Sequence, residues 1–238
     1  VKSLSALVPN LFIPDYGSKL TTSVYIRGIG SRINTPAVGL YVDNIPFIDK
    51  SAFDFNYSDI ERIDVMRGPQ GTLYGRNTMG GLIRVFTKSP FTYQGTDLRL
   101  GAATYNNYNA SLTHYHRISS QFAFSVGLFY DHKGGFFKND FNGKRIDTDN
   151  EFGGRIRAIY LPTDNLKLDF TVNYEYTNQG GYPYEYTGKV KGEEDRAQYI
   201  GRISYDNACG YKRNLLNTGL NLEYQADNFI LSLSLIHI

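Results

Sequence analysis

The sequence predicts two units. Residues 1–90 read as a small α+β domain, and residues 91–238 as long antiparallel strands forming part of a transmembrane up-and-down β-barrel. Three observations carry this reading. The chain has no run of about 18 apolar residues, so it offers no membrane-spanning helix. From Thr96 onward apolar residues recur at every second position, the period of a strand. The connections alternate between tight and long, as they do when short turns line one side of a membrane and larger loops the other.

Composition agrees. Tyr 20 and Phe 15 make the chain too aromatic for disorder. One cysteine excludes a disulfide framework and a cysteine-based zinc site. A formal charge of +2 gives no field that would gather nucleic acid. A mean hydropathy of −0.37 suits strands that alternate polar and apolar residues.

In the first unit, Lys2 to Val8 suit a short helix stopped by Pro9-Asn10. Ser23–Arg27 reads as a strand ended by Gly28 and Gly30, and Val38–Asp43 as a second, followed by the turn pair Asp43-Asn44. Ser58-Asp59-Ile60-Glu61 offers an N-cap and early acids for one helical turn. Ile63–Arg67 is a third strand closed by Gly68-Pro69, and Gly80–Thr87 a fourth closed by Ser89-Pro90.

Seven long strands follow, at about 96–105, 107–117, 121–132, 151–161, 166–177, 214–225 and 229–236. Phe122, Phe124, Val126, Leu128, Leu166, Leu168, Phe170, Val172, Leu220 and Leu222 are expected to face lipid, with Asp169, Thr171, Asn173 and Glu175 facing the lumen. Arg117–Gln121, Pro162–Asn165 and Gln225–Asn228 are tight; 133–150 and 178–213 are long and rich in Gly, Asn, Asp and Tyr. Tyr105, Tyr130, Tyr160, Tyr176 and Tyr224 stand near strand ends, where an interfacial girdle would be. The competing reading is a soluble antiparallel sandwich. Strands longer than the common 5–6 residues, and near the ~9–11 that cross a bilayer with tilt, weigh against it. Both ends look like cuts, so a fragment is expected, and the last residues need not be native.

Several further stretches, in order, carry a family resemblance. They are Val24-Tyr-Ile-Arg-Gly28, Val38-Gly-Leu-Tyr-Val-Asp-Asn-Ile-Pro46, Asp59-Ile-Glu-Arg-Ile-Asp-Val-Met-Arg-Gly-Pro-Gln-Gly-Thr-Leu-Tyr-Gly-Arg-Asn77 and Gly80-Gly-Leu-Ile-Arg-Val-Phe-Thr-Lys88. Together they resemble the plug domain of TonB-dependent outer-membrane receptors. The Arg-Gly-Pro-Gln-Gly-Thr-Leu-Tyr-Gly form is similar to the iron-complex type. The resemblance implies a plug at 1–90 and, at 91–238, the first ~7 of about 22 barrel strands, with the family's N-terminal coupling box absent here. It implies import of a scarce ligand such as a ferric siderophore to the periplasm, on energy from a TonB-type protein of the inner membrane. The barrel would sit in outer-membrane lipid of a Gram-negative bacterium. It also implies that Arg27 and Arg67, each before a glycine, bond to wall carboxylates on later strands. Import of glycans or cobalamin is the alternative; a barrel enzyme or adhesin is a second.

Ligand contact is expected from plug segments outside the strands, Ser31–Thr35 and Ile48–Phe53, with Arg32, Asn34, Lys50 and Phe53 as candidates. Arg32 and Lys50 suit an anionic chelate, because positive charge in a walled cavity focuses anions. Phe136-Phe137 and Tyr182-Pro-Tyr-Glu-Tyr186 place aromatics in long loops, as ligand surface or as loop packing. His114 and His116 share one strand face, a spacing that can bind metal, but no third ligand is evident; they read as polar residues near an interface. No metal, cofactor or catalytic residue is expected: no His-Glu-x-x-His, P-loop or Gly-x-Ser-x-Gly stretch occurs. Glu193-Glu194-Asp195 reads as a solvated charge run and Cys209 as an inert thiol.

Overall fold

The structure is a computed structural model. It describes all residues except 1, 15, 34, 54–58, 186–199, 201, 208 and 238. Asn34, Tyr186 and the Glu193–Asp195 run therefore lie outside the described residues.

The first unit opens with a 3-10 turn at Lys2–Ala6, where the helical signal stood. Strand β1 (Leu11–Phe12) then pairs with β2 (Tyr25–Ile26), and β2 with β3 (Ile29–Gly30). The strand expected over Ser23–Arg27 is shorter because Arg27 and Gly28 form a two-residue turn, with φ of 52° and 80°. Two successive positive φ angles match the twist of a tight hairpin. A four-stranded sheet follows in the order β5-β4-β7-β6. Its strands are β4 (Val38–Val42), β5 (Ile45–Phe47), β6 (Ile60–Arg67) and β7 (Gly81–Thr87). β4 and β7 run parallel, and the other two pairs are antiparallel. Asp43 and Asn44 make the β4–β5 turn, with φ of 48° and 67°.

One expectation fails here. The stretch from Asp59 is not a helical turn: Ile60–Arg67 is strand throughout, with an irregularity between Ile60 and Arg62. Pairing with β7 outweighs the local capping signal, a tertiary override of a weak propensity. The helical turn falls later, at α1 (Gly71–Tyr74), beyond Gly68-Pro69.

One face of the sheet carries the core. Val38, Leu40, Val42, Ile83 and Val85 pack with Leu11, Ile13, Val24, Ile26, Phe47 and Phe53. The opposite face holds Tyr41, Arg84 and Phe86, with the Arg62 and Arg84 guanidiniums 4.3 and 4.7 Å from the Phe86 ring centre.

The second unit is one seven-stranded antiparallel sheet in sequential order. Its strands are β8 (Gly95–Ala103), β9 (Asn107–Arg117), β10 (Phe122–Lys133), β11 (Asp149–Thr163), β12 (Leu166–Gln179), β13 (Tyr211–Gln225) and β14 (Ile230–His237). It is an open wall rather than a closed barrel, and all seven long strands lie in this one sheet rather than in two, so the sandwich reading falls. The alternation is as expected. Phe170 is 44% exposed on one face, whereas Asp169, Thr171 and Glu175 are buried on the other, against the first unit. At Gly219 of β13 the two units touch so closely that an added Cβ would overlap the Ile45 side chain. No helix among the described residues is long and apolar enough to cross a membrane.

Candidate functional site

The concave face of the wall carries mostly charged and polar side chains at alternate positions of β11, β12 and β13, interrupted by Gly153, Ile159, Leu215 and Gly219. In a strand of period two, residues such as Glu151, Arg155 and Arg157 must share a face. That face meets the plug unit through two buried ionic clusters.

The lower cluster forms around the β4–β5 turn. Asp43 accepts hydrogen bonds from the Thr87 backbone N–H (2.9 Å) and Thr87 hydroxyl (2.8 Å). The Arg155 guanidinium bridges Asp43 and Asp59, at 2.8 Å from the latter. Arg157 donates from Nε (3.0 Å) and Nη2 (2.7 Å) to the two oxygens of Asp169, a bidentate fork, and from Nη1 to the Thr87 hydroxyl at 2.9 Å. All five ionic side chains are at most 8% exposed. Burial alone would raise the Asp43 carboxyl; the Arg155 and Arg157 guanidiniums and the Thr87 hydrogen bonds outweigh it and hold it below the usual carboxylate range. Asn221 of β13 adds a bond from its amide to the Asp43 carbonyl, at 2.8 Å.

The upper cluster forms where the wall meets its long loops. Lys19 sits in a 3-10 turn (Lys19–Thr21) capped by the Ser18 side chain. Its ammonium lies 2.7 Å from Glu151 and 3.6 Å from Glu175. Arg213 bonds Glu175 and the Ser51 carbonyl. The Gln179 amide clasps the same turn, accepting from Lys19 N–H (3.1 Å) and donating to the Gly17 carbonyl (3.2 Å). Buried ion pairs repay their desolvation only where further hydrogen bonds satisfy their remaining polar atoms, and here the Arg213 Nε has no partner among the described residues.

The two arginines implied by the resemblance stand elsewhere. Arg27 occupies the left-handed turn and its N–H bonds the Asn10 carbonyl at 2.9 Å. Arg67 ends β6 and donates to the Pro9 carbonyl at 3.3 Å. Both residues are exposed and adjoin the same Pro9-Asn10 segment, Arg27 through its backbone and Arg67 through its side chain, and among the described residues neither has a carboxylate partner. Of the ligand candidates, Arg32 is exposed and lies over the Tyr16 ring at 4.6 Å. Lys50 opens a 3-10 turn (Lys50–Phe53). Phe53 is 2% exposed and packs in the plug core, so its ring is not offered to a ligand; burying an aromatic ring won over presenting it. The loop aromatics Phe136 (55%) and Tyr184 (64%) are exposed, and Tyr184 donates to the Tyr16 carbonyl at 3.1 Å.

Sequence reasoning placed Asp169 and Glu175 on the inner face but missed their partners Arg157, Lys19 and Arg213, and the neighbouring bridge from Arg155 to Asp43 and Asp59. The legible signal was charge at inward positions of β11, which needs a partner inside the barrel.

Residues 1–82 match the family model described as TonB-dependent Receptor Plug Domain. Among curated relatives, the pesticin receptor of Yersinia enterocolitica is 36% identical over 89 residues, covering 37% of this chain and 13% of the relative. The vitamin B12 transporter BtuB of Vibrio cholerae is 25% identical over 224 residues, covering 90% of this chain and 33% of the relative. The chain thus spans a third or less of the length of these curated relatives. Among solved structures, the ferric yersiniabactin uptake receptor FyuA of Yersinia pestis is similar, with a TM-score of 0.79 and 23% identity over 95% of this chain and 36% of that one. The pyoverdine receptor FpvA of Pseudomonas aeruginosa follows with a TM-score of 0.71 and 15% identity, over 99% of this chain and 34% of that one. Residues 1–82 thus match the TonB-dependent receptor plug domain, and plug and open wall together are similar in fold to the corresponding part of these solved outer-membrane receptors.

Proposed function

We propose that this chain is the gate and adjoining wall of a receptor that binds a ferric siderophore at the cell surface and imports it to the periplasm. Force from a TonB-type inner-membrane protein would loosen the plug. The observation that carries the reading is the pair of buried ionic clusters. They hold the plug to the wall by bonds that open and re-form without a change in covalent structure. An apolar seam of the same area would resist hydration once parted; charged partners take up water as they separate. Relatives that are siderophore and pesticin receptors support iron-chelate import, and those that transport vitamin B12 support cobalamin less strongly. Binding and conformational work suffice for this role, and no bond-making chemistry is assigned.

Arg32, beside Tyr16 and the loop residue Tyr184, is the contact we assign to an anionic chelate, with Lys50 and Asn34 as further candidates. Arg27 and Arg67 are assigned to the plug–wall contact on the side away from Arg155. The test is titration of the purified receptor with ferric hydroxamate, catecholate and mixed-ligand chelates, and with cyanocobalamin. Saturable binding of one iron chelate, weakened by Arg32→Ala, is expected. Binding of cyanocobalamin with no response to any chelate would replace this reading with the cobalamin one.

A further inference from the structure

His114 and His116 project from β9 on the convex face of the wall, both exposed, away from plug and lumen. Their register neighbours on that face are apolar: Val126, Ile156 and Val172 beside His114, and Phe124 and Phe170 in the row of His116. An imidazole among apolar neighbours is costly unless it finds a polar partner at the membrane edge. His114 has one: its Nδ1 lies 2.8 Å from the Thr96 hydroxyl of β8. His116 makes no hydrogen bond among the described residues and stands edge-on to Phe124 at 5.8 Å. The two rings stack within 17° of parallel, with centres 5.9 Å apart.

We propose that His114 and His116 chelate a borderline divalent transition-metal ion, Zn2+, Ni2+ or Cu2+, with Thr96 orienting the first ring. Side chains two residues apart on a strand spring from Cα atoms about 6.6 Å apart, so both rings can close on one ion with metal–nitrogen bonds of ~2.1 Å. With the proton of His114 on Nδ1, donated to Thr96, Nε2 keeps its lone pair for the metal. A hydrogen bond to the far ring nitrogen is the usual support of a ligating histidine. Imidazole selects these ions over Mg2+ and Ca2+, which require oxygen donors. The chain supplies two ligands and water completes the shell. Water reaches the site because β9 ends at Arg117 and a polar turn, Ser119-Ser120-Gln121, follows. This site lies outside the cargo route and does not depend on which ligand the receptor imports.

The test uses the intact receptor in detergent, purified without a polyhistidine tag, and Cu2+ as the probe. Electron paramagnetic resonance is expected to show one tightly held ion with two-nitrogen coupling. His114→Ala and His116→Ala should each remove that signature, Thr96→Val should weaken binding about tenfold or more, and His132→Ala should leave it unchanged. A hundredfold excess of Mg2+ should not displace the ion. Absence of a two-nitrogen signal in the parent receptor overturns the proposal. So does its survival in either histidine variant, or equal loss in His132→Ala.

Discussion

Replacing Arg155 by leucine removes the side chain that, alone among the described residues, bridges two plug carboxylates to the wall. Asp43 would keep Thr87 and the more distant Arg157, 3.4 Å away, and Asp59 would lose its 2.8 Å partner in a pocket that leaves it 8% exposed. Breaking a buried ion pair on one side costs about 3–5 kcal/mol, because the remaining charge stays desolvated. At 1.4 kcal/mol per decade, opening of the plug against the wall becomes roughly 10²- to 4 × 10³-fold more frequent. Hydrogen–deuterium exchange of peptides covering 38–47 and 81–87, in the intact receptor, reads this directly. Adding Asp43→Asn and Asp59→Asn to Arg155→Leu should recover much of the protection, since no unpaired charge remains. Unchanged exchange in the single variant, or a triple variant no better protected than the single, would refute the reasoning.

Three more outcomes are expected. The Asp43 carboxyl is held below its ordinary range, so its contribution is complete above the unfolded pKa of about 3.9 and is lost as pH falls through the lowered folded value. The exchange protection of residues 81–87 should therefore be flat from pH 7 to 5 and fall below about pH 4; Asp43→Asn should flatten that acid limb. Gly219→Val drives a side chain into Ile45 and should loosen the same contact by about 1–3 kcal/mol, with Ile45→Ala added in the same chain restoring it in a melting experiment. Spin labels at Phe170 and Thr171 should differ sharply in collision with dissolved oxygen, high at the lipid-facing site and low at the buried one; equal values would contradict the sidedness.

The wall was legible because period two is a long-range signal written over many residues. Strands expected at 107–117 and 166–177 occur at Asn107–Arg117 and Leu166–Gln179. The plug was legible mainly through its motifs. Where local chemistry alone was read, it misled: Asp59 looked like part of a helix start and instead reaches Arg155 across 96 positions. No local pattern reports such a partner. Phe53 is a ligand candidate by sequence because its segment lies outside the strands, yet it ends a 3-10 turn with its ring in the core. The inward charges of β11 were visible as an alternation. Their pairing with Lys19, Asp43 and Asp59 required the tertiary fold, because those residues lie in plug turns more than 90 positions away.

The most direct test is uptake of the 55Fe-labelled chelate that binds in titration, by cells that express the receptor as its sole route for that chelate. Cells with an intact TonB-type system should accumulate label, and TonB-deficient cells should hold it at the surface only. Arg27→Ala with Arg67→Ala should keep the surface fraction and change the internal one. Accumulation that is independent of TonB, or equal in cells lacking the receptor, would contradict a plug-gated importer.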